Sequence, residues 1–149
     1  YWAALATRQI DGASVDLSSA LQAERMGRGK ILIIDGDLVK TFQAIVIFAI
    51  NKLITESPEK VRAFLKGWYE TAAFMRTHKD ETVALARQIQ NVDADIASST
   101  YDIVMKELSG DGKFNPKALD VLAESFVDMG LLGEKPDMKR FVSEEFLPR

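Results

Sequence analysis

The sequence predicts an α/β fold in which helices cover a small sheet, and its apolar runs are the main reason. Residues 31–34 are apolar at every position and mostly β-branched, which is typical of a strand buried on both faces. Residues 43–50 form a second such run, rich in Ile, Val and Phe. Residues 13–16 add a brief strand. The resulting order of helix, strand, helix, strand and strand indicates a sheet covered by helices.

Two short helices separate these predicted strands. Residues 2–10 have helical spacing and are followed by Asp11-Gly12, where glycine can adopt the left-handed conformation that ends helices. A second helix is predicted from a cap at Ser18 or Ser19 as far as Met26.

From residue 57 onward the pattern is helical. Ser57-Pro58-Glu59 is a helix start with a cap, a proline at the first helical position and an early acid. The following apolar residues have amphipathic spacing, which predicts that they face the core. They are Val61, Phe64, Leu65, Trp68, Ala72 and Met75.

Four more helices are predicted behind this one. They begin near Asp80, near Asp93, at Asn115-Pro116 and, as a short last helix, after Pro136.

Composition excludes several classes of function. The net charge is −3, so the chain lacks the basic balance that nucleic-acid binding usually needs. With no cysteine, a disulfide framework and a thiolate nucleophile are excluded. The longest apolar run is far shorter than a membrane span. Because helical spacing is already present at the first residues, we expect the chain to be a piece of a longer protein.

The sequence predicts neither catalytic residues nor metal ligands. The single histidine, His78, lies in RTHKDE at a helix end, where a cation interacts favourably with the helix dipole. One histidine without cysteine makes a zinc site improbable. GDGKF at 110–114 departs from a calcium loop because Lys113 occupies a ligand position, so a turn is predicted. We therefore expect no cofactor, no metal and no enzyme activity.

The ends of the predicted strands form the candidate ligand site. In open α/β sheets, ligands bind beyond the carboxyl ends of strands, where helix N-termini present N–H groups. The candidate ligand-binding residues are Ser14, Val15, Asp16, Leu17, Ser18, Thr41, Phe42 and Gln43. These residue types suit a small polar or anionic molecule. A plain helix cap and turn explains the same residues equally well.

Several phrases in the sequence resemble a known family. LATRQIDGASVD, GKILIIDGD, AIVIFAINKLI and SPEKVRAFLKGWYETAAFMRTHKDETVALA follow one another along the chain. In this order they resemble the C-terminal half of ABC-importer solute-binding proteins of the nitrate/sulfonate/taurine and thiamine-precursor type. The likeness extends over nearly the whole chain.

The resemblance implies a periplasmic-binding-protein type II-like fold with two α/β lobes that close around a ligand. Residues 1–42 would belong to the second lobe, residues 43–56 to a crossing strand and its connection, and residues 57–149 to helices packed on the first lobe. The implied function is the extracytoplasmic solute-binding component of an ABC importer, periplasmic or lipid-anchored, with a small-molecule solute and the membrane permease as partners.

One departure leaves the ligand class open. Relatives often carry a Trp-Glu-Pro type tripeptide where this chain has Asp16-Leu17-Ser18. A carboxylate there disfavours an anionic ligand unless a cation accompanies it. An amine-bearing or heteroaromatic solute is as consistent with these residues as an oxyanion.

Three other functions compete with the importer interpretation. One is an enzyme of the same superfamily, similar to thiamine-pyrimidine synthases, which would need a reactive histidine in the cleft. Another is the ligand-sensing domain of a transcription regulator or membrane kinase. The third is a helical interaction module without a ligand, for which the amphipathic helices after residue 57 would suffice.

Overall fold

Helices are the regular secondary structure of this protein. The computed structural model describes residues 2–43 and 45–148, apart from the side chains of Trp2 and Ala6, and neither range contains a strand. The chain divides into two compact units. Unit 1 comprises Tyr1–Ile34 and Phe74–Leu108, and unit 2 comprises Asp35–Ala73 and Ser109–Arg149.

The predicted α/β fold is therefore wrong, and so is the two-lobe binding-protein fold that the resemblance implied. Residues 13–16 and 31–34 are irregular, as are residues 43 and 45–50 of the second apolar run. An apolar β-branched run has only a preference for strand. A sheet also requires neighbouring strands that satisfy the backbone N–H and C=O groups, and the described ranges supply none. Ile31 N instead donates to the Glu24 carboxylate (3.3 Å).

Unit 1 is organised around one long helix. Its helices are α1 (Trp2–Ala6), α2 (Leu17–Arg25), α6 (Lys79–Gln90) and α7 (Ala94–Glu107). Helix α7 packs against both α2 and α6. The buried residues Ala23, Ile96 and Ala97 lie on α2 and α7, and the two small alanines allow these helices to approach closely.

Unit 2 contains the remaining helices of the described chain. These are α3 (Asp35–Leu38), α4 (Asn51–Glu56), α8 (Pro116–Asp128) and most of α5 (Pro58–Thr77), whose last four residues belong to unit 1. A short 3₁₀ turn, Met138–Arg140, contacts α8. The buried side chains of unit 2 are again small except for one aromatic ring, and they are Ala72, Ala118, Ala123 and Phe146.

The first four helix starts predicted from residue 57 onward are confirmed, whereas the short last helix predicted after Pro136 is only the 3₁₀ turn Met138–Arg140. Helix α5 begins at Pro58, and α6 and α7 begin within one residue of the predicted positions. At α8 the Asn115 side chain accepts hydrogen bonds from the backbone N–H groups of Lys117 (3.0 Å) and Ala118 (3.4 Å). These caps are recognisable in the sequence because they involve only neighbouring residues.

Other local predictions need correction. Helix α1 ends at Ala6, before the predicted end at residue 10, and the short helices α3 and α4 were not predicted. On α5, Phe64 and Trp68 are exposed and stack on each other, with 6.3 Å between ring centroids, although their spacing predicted core positions. Among the described residues, none of the helices has the length and apolar content required to cross a bilayer.

Candidate functional site

Asp16, the central residue of the predicted ligand site, is the N-cap of α2. Its Oδ1 accepts hydrogen bonds from Ser18 Oγ (2.6 Å) and Ser19 N (3.0 Å), and its Oδ2 accepts one from Ser19 Oγ (2.7 Å). The Ser18 and Ser19 hydrogen bonds lower the pKa of Asp16 to about 2, because hydrogen bonds to a carboxylate favour its charged form. The two hydroxyls therefore donate to Asp16. The predicted cap at Ser18 or Ser19 lies instead one turn earlier, at Asp16.

The other predicted ligand-binding residues divide between the two units. Ser14 to Ser18 lie in unit 1 and Thr41 to Gln43 in unit 2. Gln43 Oε1 accepts a hydrogen bond from Asn115 N (2.8 Å), so Gln43 fastens its segment to the start of α8. Phe42 is exposed. A ligand role for these residues stays a prediction, while the structure gives Asp16 and Gln43 structural contacts.

The single histidine has the helix-end role that the sequence predicted. His78 Nδ1 lies 3.0 Å from Phe74 O and 2.8 Å from Thr77 Oγ1 at the end of α5. Its ring stacks on that of Phe74 at a centroid distance of 4.0 Å. Within the described ranges, acidic and histidine side chains do not form a group of three that could hold a metal ion.

Unit 2 contains an open depression of about 520 Å³. Its lining residues are Tyr69, Gly110, Asp111, Lys113, Glu144, Glu145, Leu147 and Pro148. Partial burial, and secondarily the Asp111 charge, raise the pKa of Tyr69.

Contacts around this depression hold the C-terminal residues against α5 and the preceding turn. Arg62 donates to Glu145 O and lies over the Phe146 ring, 4.9 Å from its centroid. Phe114 N donates to Glu144 Oε1 (2.8 Å). The depression is therefore explained as the margin of an internal packing contact.

The most unusual surface of unit 2 is the stretch of residues 45–50, hereafter the apolar segment. Ile45 is 95% exposed and Phe48 is 87% exposed, and Val46, Ile47 and Ile50 are exposed as well. Within the described residues, the backbone N–H and C=O groups of 45–49 make no hydrogen bond. At Ile50 the chain is still extended, and its carbonyl accepts from Leu53 N (3.0 Å) at the start of α4.

The exposed area around the apolar segment is large for a free surface. Leu38, Val39 and Phe42, which precede it, are exposed too. Since a large apolar side chain offers on the order of 150 Å², residues 38–50 expose on the order of 700 Å². The largest apolar patch of a typical monomer is about 300–600 Å², and larger ones mark interaction sites.

The sequence pattern identified this apolar run, but the environment that it predicted is wrong. The β-branched pattern predicted a strand buried within the chain, whereas most of residues 45–50 are exposed in the structure. One sequence signal points to this outcome: residues 41–51 contain no charged side chain. Within the described residues, the large apolar side chains of this run are exposed.

Comparison with known proteins gives no relative. No protein-family model matches the chain, and neither curated proteins nor solved structures match it significantly. The resemblance to importer solute-binding proteins, and the location it implies, stay predictions.

Proposed function

We propose that this chain is a protein-interaction module whose apolar segment is its binding surface for another polypeptide. The observation that carries the proposal is the exposure of five of the six apolar residues at 45–50, whose backbone groups from 45 to 49 make no hydrogen bond within the described residues. Exposed apolar side chains and unpaired backbone groups are both satisfied when a second polypeptide covers them.

The area of the exposed region supports this proposal. A standard protein interface buries about 800 Å² on each partner, which is close to the apolar area that residues 38–50 offer. The buried residues of unit 2 are mostly alanines, and many of its large apolar side chains, including those of residues 45–48, are exposed. The helical interaction module, one of the four functions considered from the sequence, is the one that an all-helical chain accommodates directly.

Site-specific photocrosslinking tests this function. A benzoylphenylalanine at position 48 should give a discrete crosslinked product in cells that express the chain, because Phe48 would lie inside the interface. The same group at position 141 is the matched control, since Phe141 is also a strongly exposed phenylalanine of unit 2. We expect Ile47→Lys to abolish the product at position 48. Equal products from positions 48 and 141, or none from 48, would overturn the proposal.

A second candidate is the solute-binding component of an ABC importer, and the ordered motifs of the sequence favour it. It has no support from the fold. A thermal-shift series with taurine, an aliphatic sulfonate, nitrate and a thiamine pyrimidine tests it, because a ligand that binds only the native state raises the melting temperature with its concentration. A saturable shift that Asp16→Asn alters would support it. Unchanged melting with all four compounds would count against it.

A further inference from the structure

We infer that the partner of the apolar segment is a second copy of this chain, and that the two segments pair as antiparallel β-strands. The inference rests on the proposed function and specifies its partner. Its basis is the self-complementarity of the segment, together with the unpaired backbone groups described above.

Symmetry determines which residues meet. In a two-fold symmetric interface, residue i of one copy faces residue j of the other, and j faces i. An antiparallel pair of this symmetry places one residue opposite itself, and with the two-fold axis at Phe48, Phe48 faces Phe48 of the other copy, Ile47 faces Ala49 and Val46 faces Ile50. Every facing pair is then apolar. The central pair joins two aromatic side chains, a combination that stabilises antiparallel strands.

The backbone contacts of the segment select one hydrogen-bonding pattern. Facing residues in an antiparallel pair alternate between hydrogen-bonded and non-hydrogen-bonded positions. The Ile50 carbonyl already accepts from Leu53 N and Ile54 N, so the Val46–Ile50 pair takes the non-hydrogen-bonded position. Ile47 and Ala49 then exchange hydrogen bonds. The Phe48 pair falls in the non-hydrogen-bonded position, where side chains approach most closely.

The segment also lacks the features that prevent such pairing. Natural edge strands avoid self-association by carrying lysine, proline or an inward charge. Residues 41–51 contain neither a charged residue nor proline, so two copies meet there without like-charge repulsion. The exposed side chains of Leu38, Val39 and Phe42 provide further apolar surface beside the pair in sequence.

Analytical ultracentrifugation across a wide range of protein concentration tests the inference. We expect a reversible change from a 16.6 kDa species to one of twice that mass. Ala49→Pro removes an N–H that the pairing uses, on both copies, and should weaken the dimer roughly ten- to a hundredfold in Kd. Phe141→Lys removes exposed apolar surface elsewhere in unit 2 and should leave Kd unchanged.

Amide hydrogen exchange supplies the signature of the pairing. In the dimer the Ile47 and Ala49 amides should be protected and the Val46 amide should exchange freely. A second variant, Ile47→Lys, disrupts the Ile47–Ala49 pair without proline and keeps the test independent of one substitution.

Three results would overturn the inference: a monomer at every concentration, a dimer that Ala49→Pro leaves intact, or open-ended aggregates. A crosslink from position 48 to a different protein would overturn the second copy as partner while leaving the interaction function standing.

Discussion

Apolar side chains have different environments in two regions of the molecule. One region is the helix pair α6 and α7 of unit 1, and the other is the apolar segment of unit 2. The helices pack on each other, and Lys79 pairs with Asp102 (2.6 Å) across α6 and α7. Tyr101 on α7 also donates to Met75 O (2.6 Å) near the end of α5. The apolar segment has more large apolar side chains per residue, yet within the described residues it buries none of them.

The difference shows that hydrophobicity alone does not bury a segment. A helix satisfies its own backbone groups, so it needs only one apolar face covered. An extended segment must obtain backbone partners from another segment before burial becomes favourable. The apolar segment, which has the strongest apolar pattern, is therefore exposed. We expect it to stabilise the protein through association with a partner chain.

The largest expected effect compares one substitution at two positions. Ile96→Ala removes a buried side chain of α7 and should lower the free energy of unfolding by about 3 kcal/mol. Ile45→Ala removes an exposed one and should change it by less than about 0.5 kcal/mol. Urea denaturation at low protein concentration measures both. Equal losses would show that the apolar segment is packed within the single chain.

A smaller effect is expected at the turn before α8. Gly112 has φ +74°, and a Cβ there would overlap the Tyr69 hydroxyl and lie 2.7 Å from Leu147 Cδ2. Gly112→Ala should therefore cost about 2 kcal/mol in the free energy of unfolding. Gly110→Ala is the matched control, because nothing lies within 4 Å of its added Cβ. If the two variants melt alike, the C-terminal residues are not held against Tyr69 and Gly112.

The smallest effect concerns the cap of α2. Asp16→Ala should lower the free energy of unfolding by about 1 kcal/mol at neutral pH. The pKa of Asp16 is lowered to about 2 in the folded chain from its ordinary value of 3.8. The stabilisation is therefore complete above about pH 4 and is lost as the pH falls through about 2.

Asp16→Asn separates the cap from its charge. Asparagine also caps helices but does not titrate, so this variant should lack the contribution of residue 16 to acid destabilisation. Denaturation of the natural chain and the variant between pH 4 and pH 2 measures the difference. Identical pH profiles would contradict the charged cap.

The candidate site was predictable only in part. The Ser57-Pro58 and Asn115-Pro116 helix starts and the helix-end role of His78 were readable because each depends on residues within one turn. Asp16 was recognised as a polar residue at a helix start, but its engagement by Ser18 and Ser19 required coordinates. The exposure of Trp68 was not readable, since an amphipathic pattern identifies a face and not what covers it.

The sequence by itself determined the helix starts at Pro58, near Asp80, near Asp93 and at Pro116, the Asn115 cap and the turn at Gly112, because each depends on residues close together in the chain. Only the tertiary structure decided the state of residues 31–34 and 45–50. Their strand pattern depends on backbone partners distant in the chain, and within the described residues those partners are missing.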